Sequence, residues 1–240
     1  MNSTFNIQHS TLPRPAGRGY FVTGTDTGVG KTLVACALLR TYAARGVRAV
    51  GMKPVAAGAE PTAEGLKHED VERLAAASSV TAPREHVNPY CFAPAIAPHI
   101  AAAQAGVTID LGRIERSFCA LAGLADVVIV EGVGGFHVPL GPATDTAQLA
   151  TRLALPVILV VGMRLGCLNH ALLTADAIAA RGLKLAGWVA NHVDPRMAAA
   201  DENVRALEQR IAAPLLARIP FARAPDFTAL ATALDVTKLL

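Results

Sequence analysis

A glycine-rich segment near the start of the chain carries residue types that bind phosphate groups. It runs Gly24-Thr25-Asp26-Thr27-Gly28-Val29-Gly30-Lys31-Thr32 and lies between a predicted strand and a predicted helix. Small residues let successive backbone N–H groups turn toward phosphate oxygens, and the helix N-terminus adds a partial positive charge. Lys31 supplies an ammonium for the terminal phosphates, and the Thr32 hydroxyl can bind Mg²⁺. The segment therefore predicts binding of a nucleoside triphosphate.

The spacing within this segment differs from the usual phosphate-loop pattern. Four residues commonly separate the first glycine from Gly-Lys-Thr, whereas five separate them here, after Gly24. An ordinary glycine-rich turn is the alternative interpretation. The Gly-Lys-Thr triplet at the head of an amphipathic helix favours the phosphate loop.

Two further charged residues come at the ends of predicted strands. Lys53 precedes Pro54, which cannot donate to a strand ladder and marks the end of a strand predicted over Val47 to Val55. Glu131 follows the apolar strand Asp126 to Val130. Ligands of open parallel sheets bind at the carboxyl ends of the strands, so we expect both residues near the phosphate loop, with Glu131 as a carboxylate for Mg²⁺. A solvated surface lysine and a turn-capping carboxylate are the alternatives.

Short apolar runs alternate with longer helical stretches, which indicates βαβ units and a parallel sheet. We predict one α/β domain over residues 19–240, doubly wound and mostly parallel, with helices on both faces, of the phosphate-loop NTPase type. A flexible extension is predicted over residues 1–18. The other predicted strands are Tyr20 to Thr23, Pro156 to Val161, Leu185 to Ala190 and Leu215 to Ile219. The predicted helices are Lys31 to Arg45, Lys67 to Ala77, Leu111 to Leu121, Asn169 to Ala180 and Ala198 to Ile211, and the proline-rich stretch Gly58 to Pro98 is predicted to be irregular.

Composition excludes several other classes of protein. Hydrophobic residues make up 52% of the chain and charged residues 17%, which argues for a large core and against disorder. The net charge of +3 is scattered, so no nucleic-acid groove is expected. The longest apolar run, Leu153 to Met163, is too short to span a membrane, and residues 1–18 do not resemble a secretory signal. Four cysteines without a C-x-x-C pair favour a reducing cytoplasm and argue against a zinc site.

Together, these motifs resemble those of the dethiobiotin synthetase family. The resemblance extends from about Gly19 to Pro220, and the five-residue spacing after Gly24 is the spacing that this family uses. The matching segments are Thr23-Gly24-Thr25-Asp26-Thr27, Gly30-Lys31-Thr32, Lys53-Pro54-Val55, Val130-Glu131-Gly132 with Gly134-Gly135, Leu165-Gly166-Cys167-Leu168-Asn169-His170 and Ala186-Gly187-Trp188-Val189-Ala190-Asn191.

The resemblance implies a ligase of biotin biosynthesis that uses Mg-ATP. Its substrates would be 7,8-diaminopelargonic acid and CO₂, and its products dethiobiotin, ADP and phosphate. The implied route passes through a carbamate and then a carbamic–phosphoric anhydride, which the second amine closes to the ureido ring. The resemblance also implies a homodimer with active sites at the interface, and no membrane or nucleic-acid partner.

The resemblance further implies a role for each matching residue. Catalytic roles fall to Thr27, Lys31 and Lys53, and Mg²⁺ binding to Thr32, Asp70 and Glu131. By its local pattern alone, Asp70 would be an ordinary surface acid. The segment around Gly166, Cys167 and Asn169 would reach the substrate carboxylate in the partner subunit. The implied nucleotide-binding residues are Asp26, Thr27, Gly28, Val29, Gly30, Lys31, Thr32, Asp70, Glu131, Asn191 and Pro220, the pair Asn191 and Pro220 lying at the adenine.

The chain departs from the family pattern at two positions. Gly28 stands where some members have Glu, so an acidic contribution from the loop is absent. Ala57 stands where a hydroxyl residue is common, which removes one hydrogen bond to the substrate. Both changes bear on substrate affinity and neither touches the phosphate or metal scaffold.

Three alternative functions share the phosphate loop. A switch ATPase of the chromosome-partitioning or septum-positioning type typically has an additional lysine early in the loop, where this chain has Thr25, Asp26 and Thr27. Amide-forming ligases of the cobyrinic-acid type usually carry a glutaminase domain, for which the twenty residues after Pro220 are too few. A non-enzymatic nucleotide-binding module would leave Lys53 and Glu131 without a purpose. Structural roles are expected for His99, His170 and His192.

Overall fold

The computed structural model describes residues 18–223 and 234–239, and its main feature is a six-stranded parallel sheet. The order across this sheet is β10-β9-β8-β1-β7-β2. A short parallel pair joins β3 to β6, and an antiparallel hairpin joins β4 to β5. The strands are β1 (Arg18–Gly24), β2 (Ala49–Met52), β3 (Val55–Ala57), β4 (Glu60–Thr62), β5 (Gly65–Lys67), β6 (Tyr90–Phe92), β7 (Val127–Glu131), β8 (Val157–Met163), β9 (Leu185–His192) and β10 (Leu215–Ile219).

Helices connect most of the strands, which completes the doubly wound α/β architecture expected from the sequence. They are α1 (Lys31–Ala43), α2 (Glu69–Ala77), α3 (Arg84–Val87), α4 (Pro98–Gln104), α5 (Leu111–Leu124), α6 (Thr146–Leu153), α7 (Cys167–Ala180) and α8 (Ala200–Glu208), with a 3₁₀ turn at Val236–Leu239. Within the described ranges, no helix is both long and apolar enough to span a membrane.

Helices cover both faces of the central sheet, as successive residues of β1 demonstrate. Tyr20 and Val22 pack with residues of α1, whereas Phe21 packs with residues of α5 and α6 on the opposite face. Every residue of β8 is buried. Burial on both faces explains why these strands are continuous apolar runs rather than alternating ones. The faces therefore hold the strands rigidly, and their carboxyl ends form one edge.

The predicted strand Val47 to Val55 is wrong as a single element. β2 ends at Met52, and β3 begins at Val55 and pairs with β6 instead of continuing in the main sheet. The chain turns away because the Lys53 N–H donates to Val87 O at 2.8 Å, and Pro54 has no N–H to donate. This break leaves Lys53 at the end of β2, at the carboxyl edge of the sheet.

The stretch Gly58 to Pro98 contains short elements that the sequence did not predict. Lys67 pairs with Glu60 across the β4–β5 hairpin, so α2 begins at Glu69 rather than at Lys67. The helices α4 and α6 were also not predicted. One or both predicted ends of α1, α5, α7 and α8 differ by two or three residues from the observed ends. Of the predicted N-terminal extension, residues 1–17 lie outside the described residues, and Arg18 begins β1.

Candidate functional site

The glycine-rich segment forms a loop between β1 and α1, at the carboxyl edge of the sheet. Gly28 and Gly30 have φ angles of 73° and 94°, which favour glycine. A Cβ added to Gly30 would lie 2.3 Å from Asn191 Nδ2, whereas one added to Gly28 would meet nothing within 4 Å. Glycine is therefore required at position 30 by both the backbone conformation and the lack of space for a side chain. At position 28 the backbone conformation alone favours it.

Val29 anchors this loop to the sheet. Its side chain is 1% exposed, and it would lie within 2.7 Å of a Cβ added to either Gly24 or Gly162. Its carbonyl oxygen accepts a hydrogen bond of 2.8 Å from Asn191 Nδ2 at the end of β9. The loop is thus locked between β1, β8 and β9, and Val29 offers its backbone rather than its side chain to a ligand.

Lys31 opens α1 with its ammonium folded back over the loop. Its Nζ donates to Asp26 O at 2.9 Å, and the residue is 6% exposed. The pKa of Lys31 falls to about 8, because burial and the charge of Lys53 disfavour the ammonium more than Glu131 and Asp70 favour it. A phosphate group would reverse that balance by pairing with the charged form.

Four side chains converge beside the loop. Thr32 Oγ1 donates toward Asp70 Oδ1 at 2.8 Å and lies 2.9 Å from Glu131 Oε1. Lys53 Nζ is 2.5 Å from Glu131 Oε1 and 2.9 Å from Asp70 Oδ2. Helix α1, helix α2 and the ends of β2 and β7 each contribute one of these groups. The structure thus brings Asp70, which had no local signal in the sequence, directly into the site.

Lys53 is a buried ammonium with two carboxylate partners. It is 3% exposed, and Asn88 Nδ2 donates to its carbonyl oxygen at 2.6 Å, which fixes the backbone. Burial lowers the pKa of Lys53, but the charges and hydrogen bonds of Glu131 and Asp70 outweigh burial, so the pKa is raised. Burial likewise raises the pKa of Asp70, and the charge of Lys53 with the bonds from Lys53 and Thr32 reverses this to a lowered pKa. Lys53 and Asp70 therefore stay charged at neutral pH.

The second carboxylate oxygen of Glu131 tests whether a divalent cation fits. Glu131 is 1% exposed, and its Oε2 is buried with no hydrogen-bond partner among the described residues. The same residues contain no group of three His, Cys, Asp or Glu side chains that could hold a metal by themselves. Two carboxylates and a hydroxyl beside a phosphate loop suit Mg²⁺, which takes few protein ligands and completes its shell with phosphate oxygens and water. The donor set fits that ion.

A cleft of about 890 Å³ joins these groups. Its size is in the range of small-molecule sites. Arg73 and a largely apolar wall that includes Ala56, Ile96, Val133 and Val138 also border it. All but four of the predicted site residues line this cleft, namely Asp26, Thr27, Gly28, Gly30, Lys31, Thr32, Lys53, Asp70, Glu131, Asn191 and Pro220.

The residues predicted to serve the partner subunit lie elsewhere. Gly166, Cys167 and Asn169 are at the start of α7 and are not among the described residues that line the cleft. The Cys167 side chain is buried and its N–H donates to Arg164 O at 3.0 Å, so its thiol faces the core. Gly166 and Asn169 are exposed, and Leu165 beside them is 96% exposed.

Two residues of the site, Arg164 and His68, were not predicted from the sequence. Arg164 Nη2 forms an ion pair with Asp26 Oδ2, and Asp26 Oδ1 accepts from the Thr27 N–H at 2.7 Å. The Thr27 N–H bond, followed by Arg164, holds the pKa of Asp26 below its usual range despite partial burial. Arg164 could have been found from the sequence as a charged residue directly after a buried apolar strand.

His68 also lines the cleft. It could have been found as a helix cap, because acidic residues follow it in the first turn of α2.

The three histidines expected to be structural differ in position. His192 lines the cleft at the end of β9, whereas His99 and His170 are not among its described lining residues. His99 is half-buried in α4, and His170 is exposed on α7. Their structural role stays a prediction.

A protein family and a solved structure are both similar to this chain. Residues 18–226 match the AAA_26 family, described as an AAA domain. The septum site-determining protein MinD of Pyrococcus horikoshii, complexed with Mg-ADP, has a TM-score of 0.55 at 15% identity and covers 92% of this chain and 88% of its own. A likeness at that identity shows the fold alone.

Curated relatives are far more similar. The ATP-dependent dethiobiotin synthetase BioD of Nitrosospira multiformis is 56% identical over 223 residues, which is 93% of this chain and 97% of that protein. The ATP-dependent dethiobiotin synthetase BioD of Aromatoleum aromaticum is 59% identical over 209 residues, 87% of this chain and 93% of its own. By this identity over nearly the full length of both relatives, the chain belongs to the family of ATP-dependent dethiobiotin synthetases.

Proposed function

We propose that the chain is an ATP-dependent ligase of biotin biosynthesis that makes dethiobiotin from 7,8-diaminopelargonic acid and CO₂. The observation that carries this proposal is the cluster of Thr32, Lys53, Asp70 and Glu131 beside the phosphate loop, in one cleft. A protein catalyses phosphoryl transfer mainly by positioning the reacting groups and neutralising the charge of the phosphates. The names of the relatives support the same activity.

The nucleotide is proposed to lie along the cleft with its phosphates on the loop and its base near Asn191. One N–H of the Asn191 carboxamide is used on Val29 O. The other N–H and Oδ1 make no hydrogen bond to the described residues and remain for an adenine edge, which presents both a donor and an acceptor. Pro220 borders the same end of the cleft and offers an apolar surface to the base.

Mg²⁺ is proposed to bind Thr32, Asp70 and Glu131. The buried Glu131 Oε2, which lacks a partner among the described residues, is the acceptor that such an ion would satisfy. When bound, the ion would neutralise the negative charge of the ATP phosphates. The side chains of Asp70 and Glu131 are already held in place by Lys53 and Thr32, so little reorganisation is needed.

Lys53 is proposed to attract the carbamate that CO₂ forms with one amine of the substrate. A carbamate oxygen then attacks the γ-phosphorus of ATP, and ADP leaves. The second amine attacks the carbonyl carbon of the resulting anhydride, phosphate leaves and the ureido ring closes. Lys31 and Thr27 would hold the γ-phosphate in line during the transfer, because charge that develops there is stabilised best by groups already in position.

The apolar wall of the cleft supports a substrate with an aliphatic chain. Ala56, Ile96, Val133 and Val138 can contact methylene groups of the diamine without a polar group to desolvate. Ala57 also lines this wall, and its methyl group cannot donate the hydrogen bond that a hydroxyl residue would.

A homodimer is proposed to form around the start of α7. Leu165 is 96% and Leu173 61% exposed, and both lie on the same segment as Gly166 and Asn169. A second copy of the chain would bury these leucines and bring the segment to the other active site. We further propose a cytoplasmic location, because Cys36, Cys91, Cys119 and Cys167 are all unpaired, which suits a reducing compartment.

Phosphate release from Mg-ATP and bicarbonate, with and without 7,8-diaminopelargonic acid, tests the proposed activity. We expect release that depends on the diamine and a product with the mass of dethiobiotin. Omitting bicarbonate and supplying a monoamine of the same chain length are the controls. Steady ATP hydrolysis that is indifferent to the diamine would contradict the proposal and favour a switch ATPase.

A further inference from the structure

His68 joins two parts of the site that carry charged residues. It is the N-cap of α2, with extended φ and ψ angles of −116° and 131°, and its side chain is 15% exposed. Its Nδ1 accepts a hydrogen bond of 3.1 Å from the Asp70 N–H. Its Nε2 lies 3.2 Å from the carbonyl oxygen of Ala57, the last residue of β3.

These two contacts require one form of the ring. A backbone N–H can only donate, so Nδ1 must offer its lone pair to Asp70. A carbonyl oxygen can only accept, so Nε2 must carry the proton. The tautomer with its proton on Nε2 satisfies both contacts, and the ring then bridges the strand that follows Lys53 and the first turn of the helix that carries Asp70.

Asp70 lies directly after this bridge, in the first turn of α2. Asp70 is the second residue of α2, and its two carboxylate oxygens meet Thr32 Oγ1 and Lys53 Nζ, on two different elements. The β4–β5 hairpin separates it from β3, and most of that hairpin is exposed. The His68 side chain therefore ties the start of α2 to the strand after Lys53 across this exposed excursion.

We propose that His68 is a positioning residue that holds Asp70 in place to bind the divalent cation of the nucleotide. This inference rests on the proposed role of Asp70 and deepens it. Groups that hold a metal ligand by a hydrogen bond commonly affect metal affinity by tenfold or more, although they do not touch the ion.

Binding of fluorescent ATP at increasing Mg²⁺ concentrations tests the proposal without a turnover assay. We expect His68→Ala to raise the Mg²⁺ concentration at half-maximal binding by about tenfold. His68→Asn should restore only part of the loss, because the Asn side chain is a good N-cap acceptor for the Asp70 N–H but is too short to reach Ala57 O. If His68→Ala fails to fold, His68→Leu fills the space while removing both contacts.

Ser78→Ala is the matched control at the other end of α2. Ser78 Oγ donates to Leu74 O at 2.7 Å and accepts from the Gly51 N–H at 2.9 Å, far along the helix from Asp70. Ser78→Ala should lower the thermal unfolding temperature about as much as His68→Ala does, and it should leave the Mg²⁺ titration unchanged. An unchanged titration in both His68→Ala and His68→Leu would overturn the inference, as would an equal shift in Ser78→Ala. Unaltered protein whose binding ignores Mg²⁺ would instead reject the proposed metal role itself.

Discussion

Lys53 is the side chain on which the proposed chemistry depends most directly. We expect Lys53→Ala to lower turnover by about 100-fold or more, because a preorganised charge at the reacting groups is lost. ATP affinity should change by no more than about threefold, since Lys31 and the loop remain. The free energy of unfolding should fall by roughly 3 kcal/mol, because Glu131 stays buried without its cation. Steady-state kinetics, equilibrium ATP binding and denaturant unfolding measure the three effects.

Lys67→Ala is the control for that variant. Lys67 lies at the end of β5, outside the cleft, with its side chain 42% exposed and paired with Glu64 at 2.7 Å. Its loss should leave turnover and ATP affinity unchanged. Equal loss of turnover and of ATP affinity in Lys53→Ala would contradict a role in the chemical steps.

The pKa of Lys31 gives a prediction about protons. In the free protein it is about 8, below its ordinary value of 10.5. Bound phosphates favour the ammonium, so ATP binding should take up protons between about pH 8 and 10 and almost none below pH 7. Calorimetry in buffers of different ionisation enthalpy measures this uptake. Lys31→Arg should abolish it, because arginine stays protonated throughout.

The same lowered pKa acts on stability with a defined sign. Between about pH 8 and 10.5 the unfolded chain binds more protons at Lys31 than the folded chain does. The free-energy penalty for burying this ammonium is therefore complete below pH 8 and is relieved as the pH rises.

In the calorimetric experiment, ATP-linked proton uptake that persists in Lys31→Arg would show that another group titrates.

At the scale of elements, the phosphate loop offers a matched pair of glycines. Gly28 and Gly30 both have positive φ, but only an alanine at position 30 would strike Asn191. We expect Gly30→Ala to abolish detectable ATP binding, because the loop must move off β9. Gly28→Ala should cost about 1 kcal/mol of stability and less than tenfold in ATP affinity. Equal effects in fluorescent ATP titrations would show that backbone conformation, and not contact with Asn191, is decisive.

Local patterns in the sequence were sufficient for some elements and residues. β1, the loop and α1 are contiguous, so the position of Lys31 and Thr32 followed from spacing alone. Glu131 followed from the end of an apolar strand. Asp70 came from the family resemblance, and Arg164 and His68 were missed, because their contacts with Thr32, Asp26 and Ala57 are created by tertiary folding.

The break between β2 and β3 was missed for a related reason. The run from Val47 to Val55 is apolar on both sides of Lys53, so no periodicity marks an end. The hydrogen bond from the Lys53 N–H to Val87 O, and the bond from Asn88 Nδ2 to Lys53 O, redirect the backbone. Both partners lie more than thirty residues further along the chain. Pro54 was a correct local signal for an ending, but it could not indicate where the chain goes next.

At the scale of the whole molecule, the proposed dimer predicts an effect of exposed leucines. Leu173→Lys should convert the dimer to a monomer in sedimentation velocity runs, because a charge would be buried at the α7 interface. Leu124→Lys, at the far end of α5 and 41% exposed, is the control and should sediment as the unaltered protein. Sedimentation of Leu173→Lys as a dimer would contradict an interface on this face.

The order of strands in the sheet also determines when the phosphate loop can form during protein synthesis. β1 is translated first but lies between β7 and β8, which are translated much later. Until Met163 has left the ribosome, the apolar residues of β1 lack at least one of their two parallel neighbours, and the sheet edge that shapes the loop is incomplete. Nascent chains that end before β8 should therefore depend on chaperones and fail to retain ATP, since parallel pairing over long sequence separations is slow and exposes apolar strands.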